Sequence, residues 1–307
     1  MIFAGIAGIV FLFLAGAVLA CTLGLKRFTA GSTTDSAFAI AKAKNEQDIR
    51  VIASYAAEAA GTDAEAERTV VAVEKLLDEM TAHKIRGDIA VKPSSLVAAR
   101  WNAAAQRQLY SRLAKLARHA ARSGRTMWID REHAADGRWV LPVEKKLLGT
   151  RNGKQFIPRF SNIGLVVQAY RKNSLRIAGA FAEWHTRGAR FRVRVCRGAY
   201  PREAELSSNE TACRFLTIHR RLVAWGISTV AATHTLVPAI AINSRQPPIV
   251  HMLYGRREIE TILEPLAAVN CIREPAVYVI YGPLWARLRY LLRRFWEDPR
   301  LILWFWK

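Results

Sequence analysis

Four polar or aromatic residues near the end of the chain share one face of a predicted helix. In the stretch YLLRRFWEDP, Tyr290, Arg293, Arg294 and Glu297 follow one another at helical spacing. Because each residue of an α-helix turns the chain by about 100°, all four side chains point the same way. Two adjacent guanidiniums can bind a small carboxylate through paired donors, and a neighbouring acid can hold them in place. The spacing therefore predicts a site for a small anionic or zwitterionic ligand.

The elements that would position this site alternate regularly along the chain. Eight short runs rich in Val, Ile and aromatic residues are predicted strands, at 50–55, 88–93, 127–130, 163–170, 191–198, 227–233, 248–255 and 276–282. Helix-patterned segments lie between them, including 64–80, 103–124 and 174–188. This alternation predicts an α/β fold, a closed (β/α)8 TIM-type barrel. A doubly wound open sheet is the alternative, and it is disfavoured because no G-x-G-x-x-G turn follows a predicted strand.

Polar residues stand at the predicted C-terminal ends of these strands, where such barrels carry their chemistry. They are Lys92, Asp130, Gln168, Arg194, Arg197, Thr233 and His234, with Tyr278 inside the eighth strand. The helix that carries Arg293 follows the eighth strand and so begins at the same face. We therefore expect one pocket with an aromatic wall from Tyr278 and Tyr290. A structural salt-bridge network is the alternative for any one of the charged residues.

Composition narrows the class of partner. The chain has 46 Lys and Arg against 25 Asp and Glu, a net charge of +21, which suits nucleic acid, an anionic lipid surface or acidic ligands. The basic residues are scattered without aromatic interleaving, so no nucleic-acid partner is expected. The four cysteines form no C-x-x-C pair, and neither a metal site nor a disulfide framework is predicted. No Ser-His-Asp order, HExxH helix or phosphate loop occurs, which argues against hydrolase and kinase chemistry.

The beginning of the chain predicts a membrane anchor. Residues 2–25 are uncharged and strongly apolar, long enough to cross a bilayer as one helix, and Lys26 and Arg27 follow at once. The positive-inside tendency predicts a single-pass protein of the cell (inner) membrane with its remaining residues on the cytoplasmic side. A secretory signal peptide would carry positive charge before the apolar run. A buried core helix and a lipoprotein cysteine at Cys21 are the alternatives.

These features divide the chain into four parts. We predict a transmembrane anchor at 1–27, a linker with a short helix at 28–50, a barrel at 51–300 and an aromatic tail at 301–307. The tail, LILWFWK, suits a membrane interface or packing against the protein.

Seven segments together resemble the proline dehydrogenase family, in the family's order and with similar spacing. They are DIAVKPSSL, WIDREHAA, IGLVVQAYRKNSL, RVRVCRGAYPREAE, AATHT, HMLYG, and AVYVIYG followed by YLLRRFWEDP. The resemblance runs from about residue 51 to residue 299. It implies a FAD-containing (β/α)8 barrel that oxidises L-proline to Δ¹-pyrroline-5-carboxylate and passes its electrons to membrane quinone.

The resemblance also implies roles for individual residues. Arg293 and Arg294 match the pair that binds the proline carboxylate, and Asp130 and Glu297 match the acids that hold this pair. Lys92 matches a lysine beside the substrate, and Tyr278 and Tyr290 match aromatic residues around the ring. The positions that match the FAD side are Gln168, Arg194, Arg197, Gly198, Ala199, Thr233, His234 and Thr235, and Tyr200 completes the same loop.

Four positions depart from the family pattern. Arg197 replaces a usual lysine, Thr235 an asparagine, His251 a common glutamine, and Ala57 a glycine. By the resemblance, all four lie around the flavin or the barrel rim and none among the residues that bind proline, so altered flavin affinity or tuning is expected rather than altered proline binding. Together with the charge of +21 they motivate one alternative function, a non-catalytic membrane-tethered subunit of a larger complex. A 4-hydroxyproline dehydrogenase is the alternative within the same chemistry. The ring of Tyr278 would crowd a substrate hydroxyl and so favours proline over hydroxyproline.

Overall fold

Ten strands form the framework of the part of the chain that the structure describes. A computed structural model describes residues 21–98, 101–133, 137–152, 155–242 and 246–297. The strands are β1 (Arg50–Tyr55), β2 (Gly87–Val91), β3 (Met127–Ile129), β4 (Gly149–Asn152), β5 (Gln155–Pro158), β6 (Ile163–Gln168), β7 (Arg192–Cys196), β8 (Ser228–Ala232), β9 (Ile249–Leu253) and β10 (Arg273–Tyr281).

Eight of these strands close into a parallel barrel. Their order around the barrel is β1-β10-β9-β8-β7-β6-β3-β2, and every pairing within it is parallel. The barrel closes between β1 and β10, with Arg50 opposite Ala276 and Tyr55 opposite Tyr281. The predicted (β/α)8 barrel is therefore confirmed, and all eight predicted strands are present.

Nine labelled helices connect or flank the strands. They are α1 (Thr34–Glu46), α2 (Asp63–Ala82), α3 (Ala103–Arg122), α4 (Gly137–Leu148), α5 (Ser174–Thr186), α6 (Ser208–Ala224), α7 (Val237–Ile242), α8 (Glu264–Ala268) and α9 (Leu284–Glu297). Side-chain caps begin several of them, because the first N–H groups of a helix lack internal partners. Ser207 and Glu210 form a reciprocal capping box at the start of α6, and Asn102 accepts from the N–H of Ala105 at the start of α3.

Two apolar cores result from the alternation of side chains along each strand. The larger core lies between the barrel and its helices, and Leu77, Leu113 and Phe181 are fully buried in it. The smaller core occupies the barrel interior and includes Ile52 and Trp128. Successive residues of a strand face opposite sides, so strands such as β1, β3 and β10 contribute to both cores. Strands buried on both faces are near-continuous apolar runs, which is why they stand out in the sequence.

One antiparallel hairpin lies outside the barrel. Strands β4 and β5 pair only with each other, with Gly149 opposite Pro158. It stands between α4 and β6 and is an addition to the predicted alternation.

The last helix and the segment before α1 meet at the mouth of the barrel. Residues 21–28 are helical. Arg287 on α9 donates to the hydroxyl oxygens of Thr29 at 3.2 Å and Ser32 at 2.7 Å. The backbone N–H of Ala30 donates to the carbonyl oxygen of Ile280 at 2.7 Å, at the end of β10. The N-terminal segment is thus attached to both elements that complete the barrel.

The predicted membrane anchor falls almost entirely outside the described part of the chain. Of residues 2–25 only 21–25 are described, and the aromatic tail at 301–307 lies wholly outside. Within the described ranges, no helix is both long and apolar enough to cross a bilayer. The anchor therefore stays a prediction.

The glycine at position 164 makes room for the largest side chain inside the barrel. A Cβ at Gly164 on β6 would lie 2.2 Å from a ring carbon of Trp128 on the adjacent strand β3. We expect Gly164→Ala to lower the free energy of unfolding by about 1–3 kcal/mol, because the fully buried indole must shift. Urea unfolding followed by circular dichroism measures the change.

Gly179→Ala is the matched control for this substitution. Gly179 lies on α5, and a Cβ there meets no atom within 4 Å. Alanine is about 1 kcal/mol more favourable than glycine inside a helix, so this variant should be unchanged or more stable. Equal losses of stability in the two variants would contradict the packing argument.

Candidate functional site

A cavity of about 670 Å³ lies at the C-terminal ends of the barrel strands. Every predicted site residue whose side chain is described lines it: Lys92, Asp130, Gln168, Arg194, Arg197, Gly198, Ala199, Thr233, His234, Thr235, Tyr278, Tyr290 and Arg293. Arg294 and Glu297 belong to α9, but their side chains lie outside the described part of the chain. The topology thus brings together residues from six strands and the last helix, as predicted.

A carboxylate that the sequence pattern does not identify joins two of the predicted cations. Glu58 lies in the loop after β1, and its Oε1 accepts from Lys92 Nζ at 2.5 Å and from Arg293 Nη2. Arg293 also donates to the hydroxyl of Tyr200 at 2.8 Å, and its guanidinium lies over that ring. Lys92 is only 8% exposed, so its charge needs a partner of this kind.

The two cations hold Glu58 in its ionised form. Burial alone would raise the pKa of Glu58, but Lys92 and Arg293 outweigh this effect and lower the pKa from 4.5 to about 2. The carboxylate therefore stays charged at neutral pH and fixes α9 against the end of β2.

Within the described residues, Asp130 bonds to Arg194 and Tyr278. Its carboxylate accepts from Arg194 on β7 and from the hydroxyl of Tyr278 at 2.6 Å. The family pattern pairs Asp130 with Arg293 and Arg294 on α9, and because the Arg294 side chain lies outside the described part of the chain, that pairing stays a prediction. Burial, reinforced by the charge of Asp130, raises the pKa of the Tyr278 hydroxyl. The phenol is therefore a hydrogen-bond donor at neutral pH, and its ring is fixed in the cavity wall.

Aromatic contacts support the Arg194 guanidinium from within the barrel. Arg194 lies over the ring of Trp128, with its central carbon 4.9 Å from the ring centroid, and over the ring of Tyr278 at 5.4 Å. The ring of His251 packs edge-on against Trp128 at 5.3 Å. Burial and the nearby arginines lower the pKa of His251, so its imidazole is neutral.

The loop after β7 forms one side of the cavity. Gly198 has φ +136°, and a Cβ there would overlap the ring of Tyr170, so only glycine fits this turn. Arg197 donates to the hydroxyl of Ser208 at 2.6 Å, at the first residue of α6. Close packing on Tyr170 therefore explains the glycine of the R-G-A-Y motif.

Hydrogen bonds orient the remaining polar residues of the cavity. Gln168 donates to the carbonyl oxygen of Arg131 at 3.0 Å. Thr233 accepts from the N–H groups of Thr235 and Leu236, which fixes the turn after β8. The buried carboxylate of Glu132 accepts from both the N–H and the hydroxyl of Ser94, although burial raises its pKa.

The charges and donors of the cavity suit an anionic ligand with a flat aromatic part. Its lining includes six basic residues and two acidic ones among those that the structure describes, namely Lys92, Arg131, Arg194, Arg197, Arg256 and Arg293 against Asp130 and Glu132. The Nδ1 atom of His251 is buried and accepts or donates no hydrogen bond within the described part of the chain. The cavity therefore offers groups that could hold FAD. They are its cations, its amide and hydroxyl donors, its aromatic rings and the His251 atom that has no partner within the described residues.

Two contributors to the site escape the sequence patterns. Glu58 contacts Arg293 directly, and Phe28 lines the cavity although it precedes the barrel. Glu58 follows the first predicted strand by three residues, on the same face as the other strand ends, and that position is the one signal available for it. No comparable signal marks Phe28.

Glu58 should make stability depend on pH in the acid range. Because its pKa in the folded protein lies below its ordinary value, its contribution is complete above about pH 5 and is lost as the pH falls toward 2. The shift corresponds to about 3 kcal/mol at neutral pH. We expect Glu58→Gln to cost about this amount at pH 7, and the gap from the wild type to narrow between pH 5 and pH 3 in urea unfolding.

Glu67→Gln serves as the control for Glu58. The Glu67 side chain is 53% exposed and lies 3.3 Å from Arg112, an arrangement that contributes little to stability. A gap between wild type and Glu58→Gln that stays constant from pH 7 to pH 3 would contradict the ionic role of Glu58.

Solved structures with the same fold come from the proline utilization A (PutA) proteins. PutA of Bdellovibrio bacteriovorus inactivated by N-propargylglycine has a TM-score of 0.79 at 21% identity, over 94% of this chain and 34% of its own. A mutant of PutA from Bradyrhizobium japonicum has a TM-score of 0.74 at 19% identity, over 89% and 30%. A PutA structure with proline bound in remote sites has a TM-score of 0.69 at 22% identity, over 81% and 28%.

These likenesses show the fold, and this chain spans about a third of the length of those proteins. No protein with a curated description matches the sequence. The sequence profile of the proline dehydrogenase family matches residues 37–224, which is more than half of the chain. The chain therefore belongs to the proline dehydrogenase family.

Proposed function

We propose that this protein is a membrane-tethered, FAD-dependent proline dehydrogenase that oxidises L-proline to Δ¹-pyrroline-5-carboxylate and passes the electrons to membrane quinone. The observation that carries the proposal is the convergence of Arg293, Lys92, Tyr278 and Tyr290 on one cavity at the C-terminal face of the barrel. Family membership supports the same reaction.

The carboxylate of proline would be bound by the cations at the α9 end of the cavity. Arg293 offers planar guanidinium donors, and it is already held by Glu58 and Tyr200. Arg294 is its neighbour on the helix and joins it by family resemblance. Because Glu58 and a substrate carboxylate are both anions on the same guanidinium, substrate binding would redistribute the hydrogen bonds of Arg293 and Lys92.

The ring of proline would lie against aromatic side chains. Tyr278 is 8% exposed and Tyr290 is 5% exposed, and both line the cavity. The hydrogen bond from Tyr278 to Asp130 fixes one of these rings, so the pocket has a rigid wall. A rigid aromatic wall suits a small saturated ring better than a ring that carries a hydroxyl, which favours proline over 4-hydroxyproline.

The polar side of the cavity would hold FAD. By family resemblance the contacts come from Gln168, Arg194, Arg197, Gly198, Ala199, Thr233, His234 and Thr235, all of which line the cavity. The chemistry that FAD supplies when bound is acceptance of a hydride from C5 of proline, and loss of the amine proton then leaves the C=N bond of the product. Arg194 is a buried cation positioned by Asp130 and Trp128, and it would stabilise negative charge that develops beside it.

A membrane location would give the enzyme access to an acceptor confined to the bilayer. Besides the predicted anchor, α9 exposes large apolar side chains at the mouth of the barrel: Trp285 is 76% exposed, and Leu284 and Leu292 are about half exposed. The exposed apolar patch and the cations Lys26 and Arg27 favour contact with an anionic lipid surface. The charge bias across the anchor supports placement of the barrel on the cytoplasmic side.

The alternative function is a flavin-free barrel that acts as a subunit of a larger membrane complex. Arg197, Thr235 and His251, three of the positions that depart from the family pattern, all line the cavity. If only the residues on the FAD side differ from the family, flavin binding would be abolished while Arg293 and Lys92 still bound the proline carboxylate.

An anaerobic absorbance spectrum of the detergent-purified protein, before and after L-proline, tests the proposed reaction. We expect a flavin band that bleaches on addition of proline. Arg293→Ala should need at least about tenfold more proline for the same bleaching, because the carboxylate loses a charged hydrogen-bond partner. Arg289→Ala is its control, since Arg289 is exposed on the same helix.

The other spectral outcomes separate the alternatives. A flavin band that bleaches with 4-hydroxyproline, together with a kcat/KM for 4-hydroxyproline that exceeds the kcat/KM for proline in steady-state kinetics, identifies the hydroxyproline enzyme. A folded protein that carries no bound flavin, even after FAD has been added and the unbound FAD removed, contradicts the proposal and favours the non-catalytic subunit.

Protease treatment of intact and opened cells tests the predicted topology. We expect the barrel to resist digestion in intact cells and to be cleaved once the cells are opened, since Lys26 and Arg27 would face the cytoplasm. Digestion of the barrel in intact cells would reverse the predicted orientation.

A further inference from the structure

We propose that Phe28, which precedes the barrel, forms one wall of the substrate pocket and sets the largest ring that the pocket accepts. This inference rests on the proposed function, because it concerns the substrate of the same site. Phe28 lies outside residues 37–224, to which the family profile matches. None of the motifs that resemble the family includes it.

Phe28 is buried at the apolar end of the cavity. Its side chain is 2% exposed, and it lines the cavity that also contains Tyr278, Tyr290 and Arg293. It belongs to the same apolar cluster as both tyrosines and Ile280. The phenylalanine therefore stands with the residues that would surround the substrate ring.

The backbone beside Phe28 approaches the end of β9 closely. A Cβ at Gly255 would lie 2.2 Å from the carbonyl oxygen of Arg27 and 2.7 Å from ring carbon Cδ1 of Phe28. Gly255 also has φ +82°, a conformation that glycine adopts without strain. This glycine thus permits the N-terminal segment to pack directly on the rim of the barrel.

Hydrogen bonds on both sides of Phe28 hold it in place. The guanidinium Nε of Arg27 donates to the carbonyl oxygen of Gly255 at 3.1 Å. The N–H of Ala30 donates to the carbonyl oxygen of Ile280 at 2.7 Å, and the N–H of Gly282 donates to the carbonyl oxygen of Gly31 at 3.1 Å. The residues on both sides of Phe28 are therefore bonded to the backbone of the barrel, and these bonds fix the position of Phe28.

The chemistry of phenylalanine defines what this wall can do. The side chain has no hydrogen-bond donor or acceptor, so it can exclude volume and water but cannot orient a polar group. A ring with one more methylene group would have to displace it or bind in a strained position. One methylene group in an apolar pocket changes selectivity by about 10- to 200-fold. A shorter residue at position 28 should remove much of this selectivity.

Binding of two unreactive carboxylates tests the inference without turnover. Tetrahydrofuran-2-carboxylate has a five-membered ring and tetrahydropyran-2-carboxylate a six-membered ring, and neither has an N–H to lose. Calorimetric titration of the FAD-saturated full chain in detergent gives the ratio of the two dissociation constants. We expect the wild type to prefer the smaller ring and Phe28→Ala to reduce this preference at least about tenfold, chiefly through tighter binding of the larger ring.

Two further variants serve as controls. Leu23→Ala shortens a side chain that is 38% exposed in the same helical segment, residues 21–28, and it should keep the wild-type ratio. Phe28→Leu retains apolar bulk and should change the ratio less than Phe28→Ala. It preserves the test if the alanine variant fails to fold, as judged by circular dichroism.

The outcomes distinguish this inference from the proposed function. Suppose that the wild type binds the five-membered carboxylate. If the position 28 variants then raise both dissociation constants by the same factor, or leave both unchanged, Phe28 serves only in packing and the inference is wrong. If the wild type binds neither these carboxylates nor proline, the proposed function is contradicted and the inference falls with it.

Discussion

One carboxylate holds together the three elements around the mouth of the barrel. Glu58 follows β1, Lys92 follows β2, and Arg293 lies on α9, and both cations donate to the same oxygen of Glu58. Without this anion the two cations would repel each other in a poorly solvated place. The position of α9 over the cavity, and with it the ring of Tyr290, therefore depends on Glu58.

A second ion pair lies deeper and has a different consequence. Asp130 and Arg194 come from β3 and β7, on opposite sides of β6, and they meet inside the barrel. Burying such a pair does not by itself stabilise a fold, because the loss of solvation offsets the attraction. Its place in the wall of a cavity with a surplus of cations accords with a role in binding an anionic ligand.

The sequence predicts the barrel well and the partners of its charges poorly, and the difference has a physical cause. Strands such as β6 are buried on both faces, so their apolar runs are visible without any knowledge of neighbours. The pairing of Asp130 with Arg194 depends instead on the register of strands 64 residues apart, which no local pattern contains. The contribution of Glu58 is hidden for the same reason, because a loop residue finds its partner only when the barrel has closed. The hairpin β4–β5 is missed because its strands are four residues each and carry no strong alternation.

The seam between β1 and β10 has a consequence for how the protein is made. Arg50 pairs with Ala276, so the two edges of the closing seam leave the ribosome 226 residues apart, an interval of roughly 10 to 45 seconds at ordinary rates of synthesis. For that time β1 has an open edge that can pair wrongly with other chains. Residues 29–32 cannot take their places either until Ile280, Gly282 and Arg287 have been synthesised. The cavity at the C-terminal ends of the strands is therefore completed only after α9 has been made, and early protection of β1 is a requirement of the synthesis of this protein.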